Sequence, residues 1–253
     1  MPHFNDDRAQ AIERAFSSGI GAVINVGIDI ASTKAAIKLA ESHPGIYAAA
    51  GFHPHNVTGI KYADIDQIAQ LAGHPRVVAI GEVGLDFHRD YSPREAQLWA
   101  FRRQLEMAAE LSLPVVIHCR EAEAELIPIV KDWALSLKGN PVGVIHCFNG
   151  DAAAAQTYLD MGFYISLGAY IGYPKSRGLH DVIKSVPQDR LLVETDCPYL
   201  PPQSRRGKRN EPAYLPLTVT EIAGIRGVSR DVIAAETTEN ACRLFRLELQ
   251  PGG

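Results

Sequence analysis

Four apolar runs in this chain each end on a side chain that can hold a divalent cation. They read Val-Val-Ala-Ile-Gly-Glu82, Pro-Val-Val-Ile-His118, Val-Gly-Val-Ile-His146 and Leu-Leu-Val-Glu-Thr-Asp196. Two imidazoles and two carboxylates form a donor set for Zn²⁺, Mn²⁺ or Mg²⁺, the carboxylates favouring the harder ions. A bound ion lowers the pKa of its water towards neutrality and stabilises charge on a phosphoryl oxygen, and a neighbouring carboxylate can accept the proton. Hydrolysis is the chemistry this set suggests, with the carboxylates Glu82 and Asp196 as the candidates for that catalytic proton transfer. One apolar strand ending in histidine usually marks a satisfied core residue; four such endings need a common explanation.

That explanation lies in the elements that carry them. Strands are predicted at Ala22–Val26, Tyr47–Phe52, Val77–Glu82, Pro114–Cys119, Val142–Phe148, Phe163–Leu167 and Leu191–Thr195. Several are nearly continuous in Val, Ile and Ala, as strands covered on both faces are. Amphipathic stretches lie between them: Asp6–Ser17, Ser32–Ser42, Pro93–Leu111, Glu121–Leu137, Ala152–Met161, Ser176–Val186, Leu215–Gly224 and Arg230–Leu247. Ser92 and Glu95 stand in capping-box spacing at the head of the third. Alternation of strand and helix predicts a parallel sheet, and 253 residues suit one TIM-type (β/α)8 barrel domain spanning residues 1–253. In such a barrel all strands point the same way, so the four strand ends meet on one rim. Only seven strands are readable, and the chain passes from Met1 almost directly into a helix; the missing strand is the first.

Other residues admit two readings. His53 and His55 flank a proline in a turn after a strand, where each could face the site or only shape the loop. Glu194 shares a face with Asp196 and reads as support for a ligand. Asp86 reads as a structural turn carboxylate, and Arg120 as a phosphate contact or a helix-start ion pair. Arg205, Arg206, Lys208 and Arg209 follow Asp196 closely, where they would attract a polyanion; the alternative is a solvated loop. Tyr199 and Tyr170 offer stacking faces but are more safely read as core. The cysteines at 119, 147 and 197 each follow a proposed ligand, so strand alternation turns them towards the helices as packing residues, and with Cys242 they match no zinc or disulfide framework.

The stretches Gly51-Phe-His53-Pro-His55, Gly81-Glu82-Val-Gly-Leu-Asp86, Pro114-Val-Val-Ile-His118-Cys-Arg120, His146-Cys-Phe-Asn-Gly150 and Glu194-Thr-Asp196-Cys-Pro198 together resemble the TatD family of metal-dependent nucleases, amidohydrolase-like barrels. Asn210-Glu211-Pro212 and Thr238-Glu-Asn240-Ala-Cys-Arg-Leu244-Phe245 fit as well, and the resemblance runs from about residue 6 to residue 247. It implies a (β/α)8 barrel in which one or two divalent ions cleave phosphodiester bonds of DNA or RNA, commonly as an exonuclease. Glu82 would bridge two metals, His118 and His146 would bind one of them, Asp196 would bind metal and orient or deprotonate water, and His53 would approach the phosphate.

The chain departs from the family at its start. Family members open with a strand ending in a His-x-His pair; here His3 stands alone and is not read as a ligand. The expectation is a site short of one ligand pair, in a barrel with a gap, either because the chain begins inside a longer reading frame or because it is a variant. The intact remainder of the site favours the first. Three functions compete: a metal-dependent nuclease, a small-molecule ester, lactone or amide hydrolase, and a binding-only barrel. No lysine ends a strand where a carbamylated metal bridge would be expected, which counts against dihydroorotase-like chemistry. With a net charge of −4, any nucleic-acid contact must be local. The absence of a long apolar run and of a secretory signal gives a cytoplasmic address, with no membrane partner and a monomer as expectation.

Overall fold

The computed structural model describes residues 2–89, 91–137 and 142–249. Its strands are β1 (Val23–Val26), β2 (Ile46–Ala50), β3 (Val77–Asp86), β4 (Val115–Arg120), β5 (Gly143–Ile145), β6 (Tyr164–Leu167) and β7 (Leu191–Val193). They form one parallel sheet whose spatial order is the chain order. The helices are α1 (Arg8–Ser17), α2 (Ile30–Ser42), α3 (Tyr62–Ala72), α4 (Arg94–Leu111), α5 (Glu123–Ser136), α6 (Ala152–Asp160), α7 (Leu179–Ser185), α8 (Leu215–Arg226) and α9 (Arg230–Phe245). The result is the α/β architecture expected from the sequence, a TIM-type sheet of seven strands curled into a half-barrel. No helix among the described residues is long and apolar enough to cross a membrane.

Two apolar layers hold the curl. The larger lies between sheet and helices, where Ile80, Phe101, Ile117, Leu126, Tyr158 and Phe163 are fully buried. The smaller lines the concave side with Tyr47, Val78, Val116, Val144, Tyr164 and Leu192, and α9 adds Leu244 and Phe245 to it. Burying each such side chain contributes roughly 1.5–3 kcal/mol. Alternation then positions the polar residues. Two positions beyond Val116, Val144 and Leu192 stand His118, His146 and Glu194, on the same concave face.

β3 carries the site's central carboxylate and is irregular. Its register against β4 runs Ile80 to Val115 and then Val83 to Ile117, one extra residue on β3. Ile80 and Val83 both belong to the outer layer. Strict alternation from Ile80 would send Glu82 outward with it; the extra residue turns Glu82 inward instead. Gly84 sits here at φ +143, where a Cβ would lie 1.9 Å from the carbonyl oxygen of His118, so only glycine fits.

Two local expectations are corrected. Tyr62–Ala72 is a helix where none is assigned from the sequence; it buries Ile65, Ile68 and Ala72. The Ser92–Glu95 capping box does not form. Pro93 is the N-cap without a side-chain hydrogen bond, and the Ser92 hydroxyl donates to the carbonyl of His55 (3.0 Å).

β1 and β7 pair on one side only, leaving a seam between them. Every residue of β1 is partly exposed, whereas β2 is buried throughout. A cavity of about 530 Å³ opens along the seam, lined by Ile24, Val26, Leu192, Ala15, Ala241 and Phe245 among others, and it reaches Glu82, His146 and Asp196. Above it, ion pairs stitch α1 to the segment following β7. Arg14 meets Glu211 at 2.6 Å and Asp7 at 3.0 Å, and Arg209 meets Asp7 at 2.7 Å.

Candidate active site

The rim at the strands' carboxyl ends converges on one oxygen, Oε1 of Glu82. His118 Nδ1 lies 2.9 Å from it, His53 Nε2 3.6 Å and His146 Nε2 4.0 Å. The second nitrogen of His118 is 3.1 Å from Oδ2 of Asp86, which also receives His55 Nε2 at 2.8 Å. His146 directs Nδ1 to Oε2 of Glu194 at 2.6 Å, and its Nε2 is 3.8 Å from Oδ1 of Asp196. The Ser166 hydroxyl donates to the same Glu194 oxygen (2.5 Å), and Oε1 of Glu194 is buried without a partner.

The electrostatics follow from this packing. Burial would raise the carboxyl of Glu82, but His146 and His118 outweigh it and hold the group below the usual carboxylate range. Asp86 is held low in the same way by His118 and His55. Burial opposes charge on His118, yet its hydrogen bonds to Asp86 and Glu82 lift it to about 9. His146 is likewise raised against its burial by Glu194 and Glu82. His53 lacks such close partners, and burial pulls it down to about 4 despite the charge on Glu82. Asp196 is pushed up by burial, with His146 opposing.

Support comes from buried amides. On α4, Gln97 accepts from the amide of Asp86 (2.8 Å) and donates to its carbonyl, while Gln104, two turns on, accepts from the amide of Phe52 (2.6 Å). These two residues fix the backbone under Asp86 and His53. Asn210 donates to the carbonyls of Thr195 (2.5 Å) and Tyr199 (2.7 Å), tying down the turn in which Asp196 adopts φ +50. Asn240 donates to the carbonyl of Leu191 (2.9 Å), the first residue of β7.

Glu82, His118, His146, Asp196, His53 and the basic loop all lie at this rim or in its loops. Glu82, His118, His146 and Asp196 stand together at this rim. Among the described residues, the group offering three donor atoms within 4.8 Å of one another is His53, Glu82 and His118. His146 stands between the other two carboxylates, its Nε2 4.0 Å from Oε1 of Glu82 and 3.8 Å from Oδ1 of Asp196. His53, expected as a phosphate contact, is also close enough to Glu82 and His118 to offer a nitrogen donor. Asp86 combines two duties: Oδ1 accepts from the amides of His88 and Arg89 (3.0 Å each), the turn expected of it, while Oδ2 holds two histidines. Glu194 supports His146 as expected. Arg120 is exposed at the end of β4.

In the basic loop, Arg205, Arg206 and Lys208 are exposed, whereas Arg209 is committed to Asp7 and Glu211. Tyr170 is buried and donates to the carbonyl of Phe148 (2.7 Å), but Tyr199 is not core: it is 55% exposed. All four cysteines are free. Cys119 and Cys147 pack into the outer layer, and burial pushes the Cys119 thiol up to about 12. Cys197 follows β7 in the loop, and Cys242 lines the seam. Ser166, Gln97 and Gln104 carry no sequence signal beyond being polar positions in apolar elements.

The donor chemistry suits a divalent ion. Metal–donor bonds of about 2.0–2.2 Å separate two donors by at most ~4.4 Å, so the observed spacing needs sub-ångström adjustment. His53 is neutral near pH 7 and Glu82 is ionised, as ligands must be. The proton between His118 and Glu82 is the group an ion would replace.

Comparison with known proteins agrees with this reading. A family model described as TatD related DNase matches residues 1–246. The chain is 39% identical over 244 residues to a Bacillus subtilis protein named uncharacterized metal-dependent hydrolase YabD, covering 96% of this chain and 94% of the relative. It is 39% identical over 250 residues to a Salmonella typhimurium protein named 3'-5' ssDNA/RNA exonuclease TatD, covering 96% and 95%. The crystal structure of YJJV, a TatD homolog from Escherichia coli, superposes with a TM-score of 0.91 at 30% identity, covering 98% of this chain and 95% of that one.

Proposed function

The chain belongs to the TatD related DNase family of metal-dependent hydrolases, and from that premise we propose that it is a divalent-metal-dependent exonuclease acting on DNA or RNA strands. The observation that carries the reading is the convergence of His53, His118 and His146 on one oxygen of Glu82, at the strand ends of a chain whose named relatives include exonucleases.

His53, Glu82 and His118 would hold one ion, and His146 with Asp196 would share Glu82 in an adjoining position. Such an ion supplies a Lewis acid for the phosphoryl oxygen and a water of lowered pKa. The chain supplies the rest. Asp196, made more basic by burial, accepts the proton of the attacking water on a carboxylate oxygen. Glu194 holds the imidazole of His146 through Nδ1, leaving Nε2 turned to Glu82 and Asp196. Asp86 and Glu82 fix His118 from both sides. Arg205, Arg206 and Lys208, exposed on the loop after Asp196, meet the phosphodiester backbone.

The test is cleavage of 5'- and 3'-labelled oligonucleotides with added Mg²⁺ or Mn²⁺. Metal-dependent release of terminal nucleotides is expected, falling about 10²–10⁴-fold in Asp196→Asn, as loss of a general base does. Wild-type turnover in Asp196→Asn would sink the assignment. A folded, metal-loaded protein that binds strands without cutting them would favour the binding-only barrel, a reading to which the seam beside β1 lends weight.

A further inference from the structure

Two large aromatic rings on the catalytic rim face solvent. Tyr91, in the loop after β3, is 60% exposed, and Tyr199, in the loop after β7, is 55% exposed. Scattered exposed aromatics are ordinary on protein surfaces. These two differ from that background in position and in how they are held.

Tyr91 meets the His55 ring edge-on at 4.8 Å, and His55 leads through Asp86 and His118 to Glu82 by contacts of 2.8, 3.1 and 2.9 Å. Arg89 donates to the Tyr91 hydroxyl at 2.9 Å. The backbone beneath is anchored, since the neighbouring Ser92 is buried and bonded both to the His55 carbonyl and to the Thr58 hydroxyl. Tyr199 donates its amide to the carbonyl of Asp196 (2.9 Å), and its own carbonyl is held by Asn210. A loop whose flanking backbone is bonded in this way gains nothing in folding from leaving an aromatic ring in water. Tyr91 lies beside His55 after β3, and Tyr199 stands three residues beyond Asp196 after β7, where its ring meets that of His3 edge-on at 6.0 Å.

We propose that Tyr91 and Tyr199 are base-stacking platforms at the hydrolytic site, the side chains that would give it the single-strand preference carried in the names of its exonuclease relatives. The inference rests on the nuclease reading and adds to it what the site recognises besides phosphate. Every base presents a π-face, so stacking would be indifferent to sequence. In a duplex those faces are already covered by neighbouring bases, and the platforms would find nothing to hold.

The experiment compares hydrolysis of single-stranded oligothymidylate with that of the same strand lacking bases at its terminal positions, in wild type, Tyr91→Ala, Tyr199→Ala and Tyr91→Phe. Each alanine variant is expected to raise KM roughly 5- to 100-fold on the base-bearing strand, the range for losing one stacked base. The same variants should shift KM less than about twofold on the abasic strand, and Tyr91→Phe should restore wild-type KM on the base-bearing one. Unchanged KM in both alanine variants, or equal losses on the two substrates, would overturn the platforms while leaving the nuclease standing. Failure of wild type to cut either strand would remove the nuclease reading and this inference with it.

Discussion

At the scale of single residues, the site is held together by protons. His118 lies between two carboxylates, and despite its burial they lift it from an ordinary value of 6.5 to about 9. The charged ring stabilises the metal-free fold fully below pH 6.5, and that contribution is lost as pH rises through 9. A divalent ion needs the neutral ring, so binding must expel this proton. Affinity for Mn²⁺ should therefore climb up to about tenfold per pH unit between pH 6 and 8.5, with proton release visible by calorimetry in buffers of different ionisation enthalpy. An affinity that is flat across that window would mean His118 is not a ligand. His53, at about 4, is neutral throughout and contributes no slope.

At the scale of elements, the strands were legible because buried parallel strands are written as unbroken apolar runs, and all seven appear where the sequence places them. What could not be read depends on partners. The extra residue in β3 is defined only against β4, so nothing in Gly81-Glu82-Val83-Gly84 alone reveals that Glu82 turns inward. His53 joins the donor group because Gln104 and the carbonyl of Ile28 place its loop, contacts between distant segments. Ser92 looked like a cap because its spacing to Glu95 is right; tertiary contacts with Thr58 and His55 claimed the hydroxyl first. The Tyr62–Ala72 helix was legible in principle, with Ile65, Ile68 and Ala72 at helical spacing. β1 offers a direct check of the open sheet. Val23 donates its amide to the carbonyl of Gly45, just before β2, and Gly27 to that of Ala49 in β2, both at 2.9 Å, and alternation directs the amides of Ile24 and Val26 to the seam. In hydrogen exchange followed residue by residue, Ile24 and Val26 are expected to exchange well before Val23 and Gly27. Equal protection would show that the seam is closed in solution.

At the scale of the whole molecule, a net charge of −4 leaves attraction of a polyanion to local groups. Changing Arg205, Arg206 and Lys208 together to glutamine should lower the slope of log affinity against log salt by about 2 for a single strand, at roughly 0.7 per phosphate contact. Arg209→Gln should barely alter that slope, because this side chain is engaged with Asp7 and Glu211. Its loss should instead lower the thermal midpoint by about 2–4 °C, the scale of an ion-pair network at a partly exposed position. If Arg209→Gln changed the salt slope as much as the other three changes combined, the division of labour within the loop would be wrong.

The cavity along the seam has a practical consequence for anyone handling the protein. A slot of about 530 Å³ walled by Ile24, Val26, Leu192 and Phe245 is large enough to admit an environment-sensitive dye such as anilinonaphthalene sulfonate. Such a dye should fluoresce with the fully native molecule, so a melting curve read by dye would start from a bright baseline that resembles partial unfolding. Circular dichroism on the same sample should show an intact fold at that temperature, and Ala15→Leu, which narrows the slot, should dim the signal.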